Sequence, residues 1–503
     1  MMERKMIADV CPDETRLALL EDGQMSEMHV ETRGRERLVG NIYKGKVENI
    51  LPGMQAAFVD IGLDKNAFLY AGDIVRDMGD DAAQDSPPAE VPPIREVLRP
   101  NQDILVQVLK QPGGTKGARV TTHITLPGRY VVLMPTVEHI GISRRVRDDA
   151  VRSRLKDLAK KLCPPGMGLI LRTAAARAKE AEIAKEIALY ERMWQRIQDK
   201  ARVVSAPRLV HAEESLLLRT VRDAFTADVD ELVINDKDAY ERVCALTAML
   251  APELRPRIHW YSGSVPIFDA YALEDKMERL LQRRVWLRNG AYLVIDETEA
   301  LTAIDVNTGK YTGNDDLQET IVNANLEAAD EIARQIRLRD LSGIIIVDFI
   351  DMESEENRRR VLERLEKAVS SDPTRTNVLG MTSLGLVEMT RKRSRRRLSA
   401  LMETTCPHCG GSGKIPNLET LTRRVRIAVM RHMENAEPAT YLIEVPRPVA
   451  DRILTRNAQG IRILPDYPRS RFYIRGMDGE NPSYLQIRTA GGTDSLNGAQ
   501  EFH

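Results

Sequence analysis

The sequence has no run of about 18 apolar residues, so nothing in it predicts a segment that could cross a bilayer. Its first residues lack the apolar stretch of a secretory signal, and its 5 cysteines are too few and too scattered for a disulfide framework. We therefore expect a protein of the reducing cytoplasm with no membrane partner. The formal net charge is only −1, so a site for a polyanion must be built from local clusters of Lys and Arg.

A chain of 503 residues far exceeds the roughly 250–300 residues at which one hydrophobic core stops growing, which predicts several modules. Residues 1–37 alternate apolar and polar positions, as in a small antiparallel sheet. Residues 38–122 carry short strands punctuated by glycine, which favour a small β-barrel, and the acidic, proline-rich segment 76–100 predicts a mobile insertion in it. Residues 123–217 combine strands with a long charged helix, and residues 218–281 are a second α/β segment.

The segment 282–403 has the most regular pattern. It predicts strands at Tyr292–Ile295 and Leu301–Val306 and a strand buried on both faces at Gly343–Phe349. Between the strands, apolar residues recur at helical spacings of three and four, at Leu317, Ile321, Ala324, Ala328, Ile332 and Ile336. A weaker α/β pattern follows in residues 417–503.

Carboxylates follow two of these strands. Asp305 and Asn307 are two positions apart on a strand, so both side chains leave the same face. Asp348 ends a strand that reads as apolar on both faces, where an unpaired charge is costly, so we expect it to meet a cation or a donor. Asp351 falls on the other face and ranks second. The pair Asp305 and Asp348 suits Mg²⁺, although a single strand-end Asp more often only caps a turn.

The residues around these carboxylates closely resemble the ribonuclease E/G family, in the segments AIDVN (303–307), NLEAADEIARQ (325–335), RLRDL (337–341) and VDFIDM (347–352). The resemblance extends over almost the whole chain. It implies an α/β and β multidomain fold made of a ribonuclease H-like module (1–37 plus 218–281), an inserted OB-fold RNA-binding barrel (38–122), a 5′-phosphate sensor (123–217), a deoxyribonuclease I-like catalytic module (282–403), a zinc link (404–416) and a small C-terminal α/β domain (417–503). With no long polar tail, the chain is more similar to the family's G-type members than to its scaffold-bearing E-type members, and no degradosome-binding arm is expected.

The same resemblance implies the activity. Asp305 and Asp348 would hold Mg²⁺, Asn307 would orient the scissile phosphate, and a metal-activated water would attack in line, leaving a 5′-phosphate and a 3′-hydroxyl. The expected substrate is single-stranded RNA, in ribosomal RNA maturation and messenger RNA decay, with cleavage stimulated by a 5′-monophosphate. The competing hypothesis is a catalytically silent RNA-binding or filament-forming scaffold that uses the same barrel.

The barrel segment offers candidates for RNA binding. Phe58 and Phe68 are two of only 7 phenylalanines and lie near Lys44, Lys46 and Lys116. OB-type barrels stack bases on aromatic rings while lysines follow the phosphates. The residues alone leave open whether these phenylalanines are barrel core, and the resemblance favours RNA binding.

A 5′-phosphate pocket is expected from the resemblance at Arg172 and Thr173, where a guanidinium and a hydroxyl end a strand. As a dipeptide, Arg-Thr is uninformative. The other positions that match the family's pocket are Gly128, Val132, Arg144 and Arg375.

The run Arg391–Arg397 has six cations in seven residues. Its two interpretations, a solvated helix face and a contact with RNA phosphates, stay open.

Cys406 and Cys409 form a CPHC segment followed by GGSG. A thioredoxin-type redox site needs a helix at this point, which the glycines disfavour. A structural Zn²⁺ ion needs four ligands, and the other three cysteines are isolated. We therefore expect the two missing ligands to come from a second chain, in agreement with the family's zinc link, in which two subunits share one ion and dimers can pair into tetramers.

Overall fold

The computed structural model describes residues 3–34, 37–74, 93–112, 116–309, 317–393, 396–434, 436–479, 481, 483–490 and 496–502. The chain divides into two compact units, residues 1–401 and 402–503. Most of the insertion predicted at 76–100 lies outside the described residues. The described elements confirm a mixed α/β, multidomain architecture with a closed five-stranded barrel.

The chain begins with three antiparallel strands, as predicted: β1 (Arg4–Val10), β2 (Glu14–Glu21) and β3 (Gln24–Thr32). Asp22 and Gly23 join β2 to β3 with positive φ angles of 49° and 74°. Two successive residues with positive φ are what a tight hairpin turn requires, because such a turn matches the twist of the strands.

The barrel consists of β4 (Ile42–Leu51), β5 (Ala56–Asp60), β6 (Ala67–Tyr70), α1 (Ile94–Val97), β7 (Asp103–Lys110) and β8 (Arg119–Thr121), with 3₁₀ turns at Pro52–Met54 and Ala71–Asp73. Its strands pair in the order β4-β5-β6-β8-β7, and β7 pairs with β4 to close it. At Gly45 a Cβ atom would lie 2.7 Å from the Cγ1 of Val59. β4 therefore needs glycine at this position, where a side chain of β5 approaches its backbone closely.

The next segment forms β9 (Leu126–Pro127), β10 (Val131–Met134), β11 (Ile140–Ile142), α2 (Asp149–Leu162), β12 (Gly168–Leu171), a 3₁₀ turn (Thr173–Ala176), α3 (Glu180–Val203) and β13 (Arg208–His211). The sheet order is β11-β12-β10-β9, and α3 packs on β10. β13 instead pairs with β4 and extends the sheet of the barrel.

The following residues form α4 (Leu216–Ala224), β14 (Glu231–Ile234), α5 (Lys237–Leu250), a 3₁₀ turn (Pro252–Arg257), β15 (Ile258–Trp260), α6 (Ile267–Ala270) and α7 (Glu274–Leu280). β14 lies parallel to both β1 and β15, giving the order β15-β14-β1-β2-β3. Two segments far apart in sequence therefore complete one sheet.

The region around the carboxylates forms β16 (Arg284–Trp286), β17 (Tyr292–Glu297), β18 (Leu301–Asn307), α8 (Leu317–Leu338), β19 (Gly343–Asp348), α9 (Glu355–Val369), β20 (Thr376–Met381), β21 (Leu386–Arg391) and α10 (Ser399–Met402). The sheet order is β16-β17-β18-β19-β21-β20. Helices α8 and α9 share one core with a single face of this sheet.

The predicted helical stripe is confirmed in α8, where Ala324, Ala328, Ile332 and Ile336 are buried; the side chain of Leu317 lies outside the described residues. The prediction that the strand Gly343–Phe349 is buried on both faces is wrong. Only one face of β19 meets the helices, and Ile344 on the other face is 50% exposed.

The second unit contains α11 (Leu418–Met433), β22 (Thr440–Pro446), α12 (Arg447–Ala458), β23 (Arg471–Met477), β24 (Gln486–Thr489) and β25 (Gln500–Phe502). Its sheet order is β24-β22-β23-β25, and it has its own hydrophobic core. In the described part of the whole chain, no helix is both long and apolar enough to span a membrane.

Candidate active site and RNA-binding residues

The structure brings the predicted carboxylates together. β18 and β19 are parallel neighbours, and their register places Asp305 directly beside Asp348. Residues that pair across two neighbouring strands point to the same side of the sheet. Both carboxylates therefore leave the face that the helices do not cover, and both are exposed. Asn307 lies on the same face, and its Nδ2 donates a 2.8 Å hydrogen bond to Oδ2 of Asp305.

These strand ends concentrate negative charge. The pKa of Asp348 is raised, first by partial desolvation and then by the charges of Asp305 and Asp351. Asp348 is exposed, so solvent and ions can reach it, and a bound cation would neutralise the like charges that Asp305 and Asp348 hold side by side. Carboxylate oxygens at an open edge are the ligands that Mg²⁺ prefers, so the donor set fits that ion.

Phe58 and Phe68 lie on the outer surface of the barrel. They are cross-strand partners on β5 and β6, with ring centroids 6.2 Å apart at an interplanar angle of 71°. Neither belongs to the buried cluster that fills the barrel, and both are half-buried. This arrangement leaves ring surface accessible for stacking.

The three candidate lysines of the barrel have different surroundings. The Nζ of Lys44 donates to the carbonyl oxygen of Val204 at 3.0 Å and lies 3.3 Å from Oδ2 of Asp103, so its charge is engaged within the fold. Lys46 is half-buried, whereas Lys116 is exposed. Lys116 therefore has the strongest structural case for a contact with RNA phosphate, and Lys44 has the weakest.

Four candidate sensor residues lie on β10 or on the chain next to β10 and β12, and they come close together. The guanidinium of Arg172 donates to the carbonyl oxygen of Gly128, and the pairing of the two strands sets Val132 beside Ile170. The hydroxyl of Thr173 lies 3.2 Å from that of Ser143. These groups lie at one corner of the sheet, the candidate sensor corner, where Thr173 is exposed, Arg172 and Val132 are half-buried and Gly128 is buried.

The remaining candidates, Arg144 and Arg375, lie on two other segments. Arg144 directly follows Ser143 and is exposed. Its neighbour Arg145 donates a hydrogen bond to the carbonyl oxygen of Pro373, so the segment that contains exposed Arg375 lies near that of Arg144 although the two are more than 200 positions apart in sequence. The contact of Arg145 was not predicted, because its partner Pro373 is distant in sequence.

Comparison with known proteins decides the family. The sequence model of the ribonuclease E/G family matches residues 125–394. Ribonuclease G of Escherichia coli (strain K12) is 42% identical over 452 residues, which cover 90% of this chain and 92% of that protein. The chain belongs to the ribonuclease E/G family. Ribonuclease G of Haemophilus influenzae is 40% identical over 462 residues, covering 92% of this chain and 94% of that protein. Ribonuclease E of the same organism is 35% identical and covers 97% of this chain but 54% of its own length.

The predicted family resemblance is thus confirmed, and with it the prediction that this ribonuclease E/G member is an endoribonuclease, a hydrolase. The roles of its individual residues remain predictions.

Two carboxylates beside the sensor corner escaped the sequence analysis. Glu186 on α3 is only 3% exposed and accepts backbone N–H bonds from residues 129, 130 and 131 at 2.6, 2.8 and 3.0 Å. Burial raises its pKa, and these bonds offset part of that effect. At Gly128 a Cβ would lie 2.6 Å from the Glu186 carboxyl carbon, so this turn requires glycine. A buried Glu on a helical apolar stripe was the available signal.

The second is Asp223, at the end of α4. Its Oδ1 accepts a 2.6 Å hydrogen bond from Arg172. Burial opposes ionisation of Asp223, but its bonds and ion pairs with Arg222 and Arg172 outweigh it and lower the pKa. Asp223 therefore stays charged and holds the guanidinium of Arg172 at the sensor corner. No pattern in the sequence around Asp223 predicts this contact.

For Arg391, both interpretations of the run are wrong, and for Arg397 the contact with RNA stays a prediction. Arg391 is 5% exposed and its Nε lies 2.6 Å from Oδ2 of Asp372, so it forms a buried ion pair. Arg397 is 3.2 Å from Glu297. The described part of the run is the end of β21 and the irregular chain after it, not a helix face.

Cys406 and Cys409 lie in a tight turn. The amide of Gly410 donates to the carbonyl oxygen of Cys406 at 2.9 Å, and the next helix, α11, starts only at Leu418. Backbone N–H groups of Gly413 and Gly411 lower the pKa of Cys409, as in a knuckle that presents thiolates to a metal. Among the described residues, no three His, Cys, Asp or Glu side chains are grouped as a metal site.

Proposed function

We propose that this chain is a Mg²⁺-dependent endoribonuclease that cuts single-stranded RNA at the open face of the sheet formed by β16 to β21. The observation that carries the proposal is the register of β18 and β19, which sets Asp305 beside Asp348 with Asn307 on the same face. Together with membership of the ribonuclease E/G family, this pair supports a deoxyribonuclease I-like role for residues 282–403.

Each polar group at this edge has a task in the proposed reaction. Asp305 and Asp348 would hold Mg²⁺, which when bound supplies Lewis-acid polarisation of the phosphate and activation of an attacking water. Asn307 donates one N–H to Asp305, which fixes the orientation of its amide. The amide of Asn307 has a second N–H, which would donate to an oxygen of the scissile phosphate and orient the phosphate for in-line attack. The expected products carry 5′-phosphate and 3′-hydroxyl ends.

The barrel and the sensor corner would select the RNA. Phe58 and Phe68 present ring surface for stacking. Lys116, with Lys46 and Lys44 in lesser roles, would contact the phosphates of the bound strand. Arg172 and Thr173, with Gly128, Val132, Arg144 and Arg375, would bind a 5′-monophosphate through a guanidinium, a hydroxyl and backbone groups. A duplex would then be a poor substrate because its bases are already stacked and paired, and an RNA whose 5′ end carries no monophosphate would be cut more slowly.

Assembly is part of the proposal. Each chain offers two thiols, Cys406 and Cys409, and a closed tetrahedral zinc site needs four ligands. Two chains sharing one Zn²⁺ across residues 404–416 would satisfy that geometry, giving a dimer that can pair into a tetramer. The OB-fold, ribonuclease H-like and small C-terminal modules complete the proposed protein, which would act in the cytoplasm on ribosomal RNA precursors and messenger RNA.

The experiment is cleavage of a 5′-labelled RNA, single-stranded or annealed to its complement, with and without Mg²⁺. We expect cuts only in the single-stranded form and only with Mg²⁺, with a faster rate for a 5′-monophosphate than for a 5′-hydroxyl. Binding should weaken with salt at a log–log slope of about −0.7 for each phosphate neutralised. Tight, salt-sensitive binding with no cleavage under any condition would favour the catalytically silent scaffold.

A further inference from the structure

An aromatic pair continues the catalytic face toward the edge of the sheet. Trp286 on β16 and Tyr292 on β17 are cross-strand partners, and Tyr292 is in turn the register partner of Asn307 on β18. Directly opposed residues of antiparallel strands leave the same face. Trp286, Tyr292 and Asn307 therefore form one row of side chains, next to the row that contains Asp305 and Asp348.

A cation is held over both rings. The guanidinium carbon of Arg284 lies 4.6 Å from the ring centroid of Tyr292 and 5.8 Å from that of Trp286, and the two ring centroids are 5.1 Å apart. Arg284 faces Val294, which faces Asp305, so the cation belongs to the row of the carboxylates. The three side chains form a platform with a π surface and a positive charge.

The ordinary explanation is that a cross-strand aromatic pair stabilises the edge hairpin. Burial of the rings would then be expected, yet Trp286 is 55% exposed on the face that the helices leave open. Two strand spacings of about 4.8 Å separate Trp286 from Asn307. This distance of about 10 Å would let an RNA strand with its phosphate at Asp305 and Asp348 place a nearby base on the indole.

We infer that Trp286, Tyr292 and Arg284 form a base-stacking subsite for a nucleotide adjacent to the cleaved bond. The inference rests on the proposed function, because it uses the carboxylate pair to locate the phosphate. The ligand class is an unpaired nucleobase of any identity, since every base has a π face. The guanidinium both stacks and neutralises the adjoining phosphate. The subsite lies on the catalytic module itself and is separate from the phenylalanines of the barrel.

The test is single-turnover cleavage of a set of RNAs, each with one abasic nucleotide at a different position around the cut. In the wild-type protein, one position next to the cut should slow cleavage about five- to a hundred-fold, the range for loss of one stacked base. Trp286→Ala should slow the intact RNA by a similar factor and abolish the effect of that abasic position. Trp286→Phe should restore most of both.

Trp260→Ala is the matched control. Trp260 is 47% exposed at the end of a strand, and the Nζ of Lys237 lies 6.0 Å from its ring centroid, but it belongs to the sheet of β1 and β15. Cleavage by this variant should keep the wild-type dependence on abasic position. A purely structural role of Trp286 would slow every RNA equally and leave the position effect intact, which would overturn the inference.

A second readout separates this inference from the proposed activity. Of the 3 tryptophans, Trp194 is buried and out of reach of a bound oligonucleotide, so in a Trp260→Phe protein the change of fluorescence on binding reports mainly on Trp286. An uncut oligonucleotide bound to the Asp348→Asn form of that protein should quench this fluorescence. Quenching with no cleavage by any variant would contradict the proposed function and keep the subsite. Normal cleavage without quenching would reject the subsite. Quenching that depends on protein concentration and not on the oligonucleotide would also reject it, because a second copy of the chain would then cover Trp286.

Discussion

Asp348→Asn should stabilise the metal-free protein while removing its activity. In the absence of a cation, Asp305 and Asp348 are like charges side by side on paired strands, and Asp351 adds to the field that raises the pKa of Asp348. Asparagine keeps the shape of the side chain and removes one of these charges. The catalytic edge is therefore expected to reduce the stability of the apo fold, and the substitution should relieve that strain.

The size of the effect follows from Coulomb's law. Two unit charges about 5 Å apart repel by about 0.8 kcal/mol at the dielectric constant of water and by about 3 kcal/mol at an effective value of about 20. Because both carboxylates are exposed, the lower end applies, and we expect a gain of about 1 kcal/mol. At an unfolding entropy of about 2.1 cal/mol/K per residue, that gain corresponds to a rise in Tm of about 1 °C for the compact unit of residues 1–401.

The assay is thermal unfolding in buffer freed of divalent ions by ion exchange, which spares tightly bound zinc, followed by titration with Mg²⁺. Wild-type protein should gain about 2.7 kcal/mol at a Mg²⁺ concentration of about 100 times Kd, and Asp348→Asn should gain little. Asp296→Asn is the control on the same sheet face. It loses the ion pair of Asp296 with Arg283, at 2.5 and 2.7 Å, so its Tm should fall slightly and its Mg²⁺ response should persist.

A lower Tm for metal-free Asp348→Asn would refute the charge argument. An undiminished Mg²⁺ response in that variant would refute the metal assignment.

Arg172→Ala should bring the ratio of cleavage rates for 5′-monophosphate and 5′-hydroxyl RNA close to one and spare the hydroxyl substrate; a surviving preference would locate the pocket elsewhere. Asp223→Asn should raise the same ratio several-fold, because the amide still accepts the hydrogen bond from Arg172 but no longer repels a phosphate; a lower ratio would make Asp223 a purely positioning group. Cys406→Ser should abolish a stoichiometry of one zinc per two chains and lower the assembly state in native mass spectrometry, and one zinc in an intact monomer would exclude a shared site. Burial alone would raise the pKa of Glu27, but its bonds and ion pairs with cationic neighbours lower it to about 2; its stabilisation should therefore be present above pH 4.5 and be lost toward pH 2, so acid titration of Glu27→Gln and wild type should show stabilities that converge at low pH.

The spacing of residues along the sequence was enough to predict which side chains share one face of a strand or a helix. It placed Asp305 and Asn307 on one face, and it found the buried stripe of α8. It could not predict that β18 and β19 are parallel neighbours in the register that joins Asp305 to Asp348, because register is set by the whole sheet.

The same reasoning failed where a run of apolar residues was taken as evidence of burial. Ile344 and Ile346 suggested a strand covered on both sides, yet they lie on the open face. An apolar residue type is compatible with burial, whereas only the tertiary arrangement shows whether another element covers that residue.

Charged residues show the opposite error. Arg391 looked like part of a surface cluster, but its partners Asp372 and Asp340 come from other segments and allow it to be buried. Glu186 and Asp223 contact residues of the candidate sensor corner that are more than 50 positions away in sequence. Such pairs leave no local signal, since burial of a charge depends on the partner rather than on its own neighbours.

The central claim is that Asp305 and Asp348 together carry the metal-dependent step. The most direct test is single-turnover RNA cleavage by Asp305→Asn, Asp348→Asn and the control Asp296→Asn, with RNA affinity measured on the same samples. We predict that the first two lose orders of magnitude in rate with nearly unchanged Kd for RNA, and that Asp296→Asn cuts at the wild-type rate. Wild-type cleavage by either of the first two, or an equal loss in all three, would contradict the account.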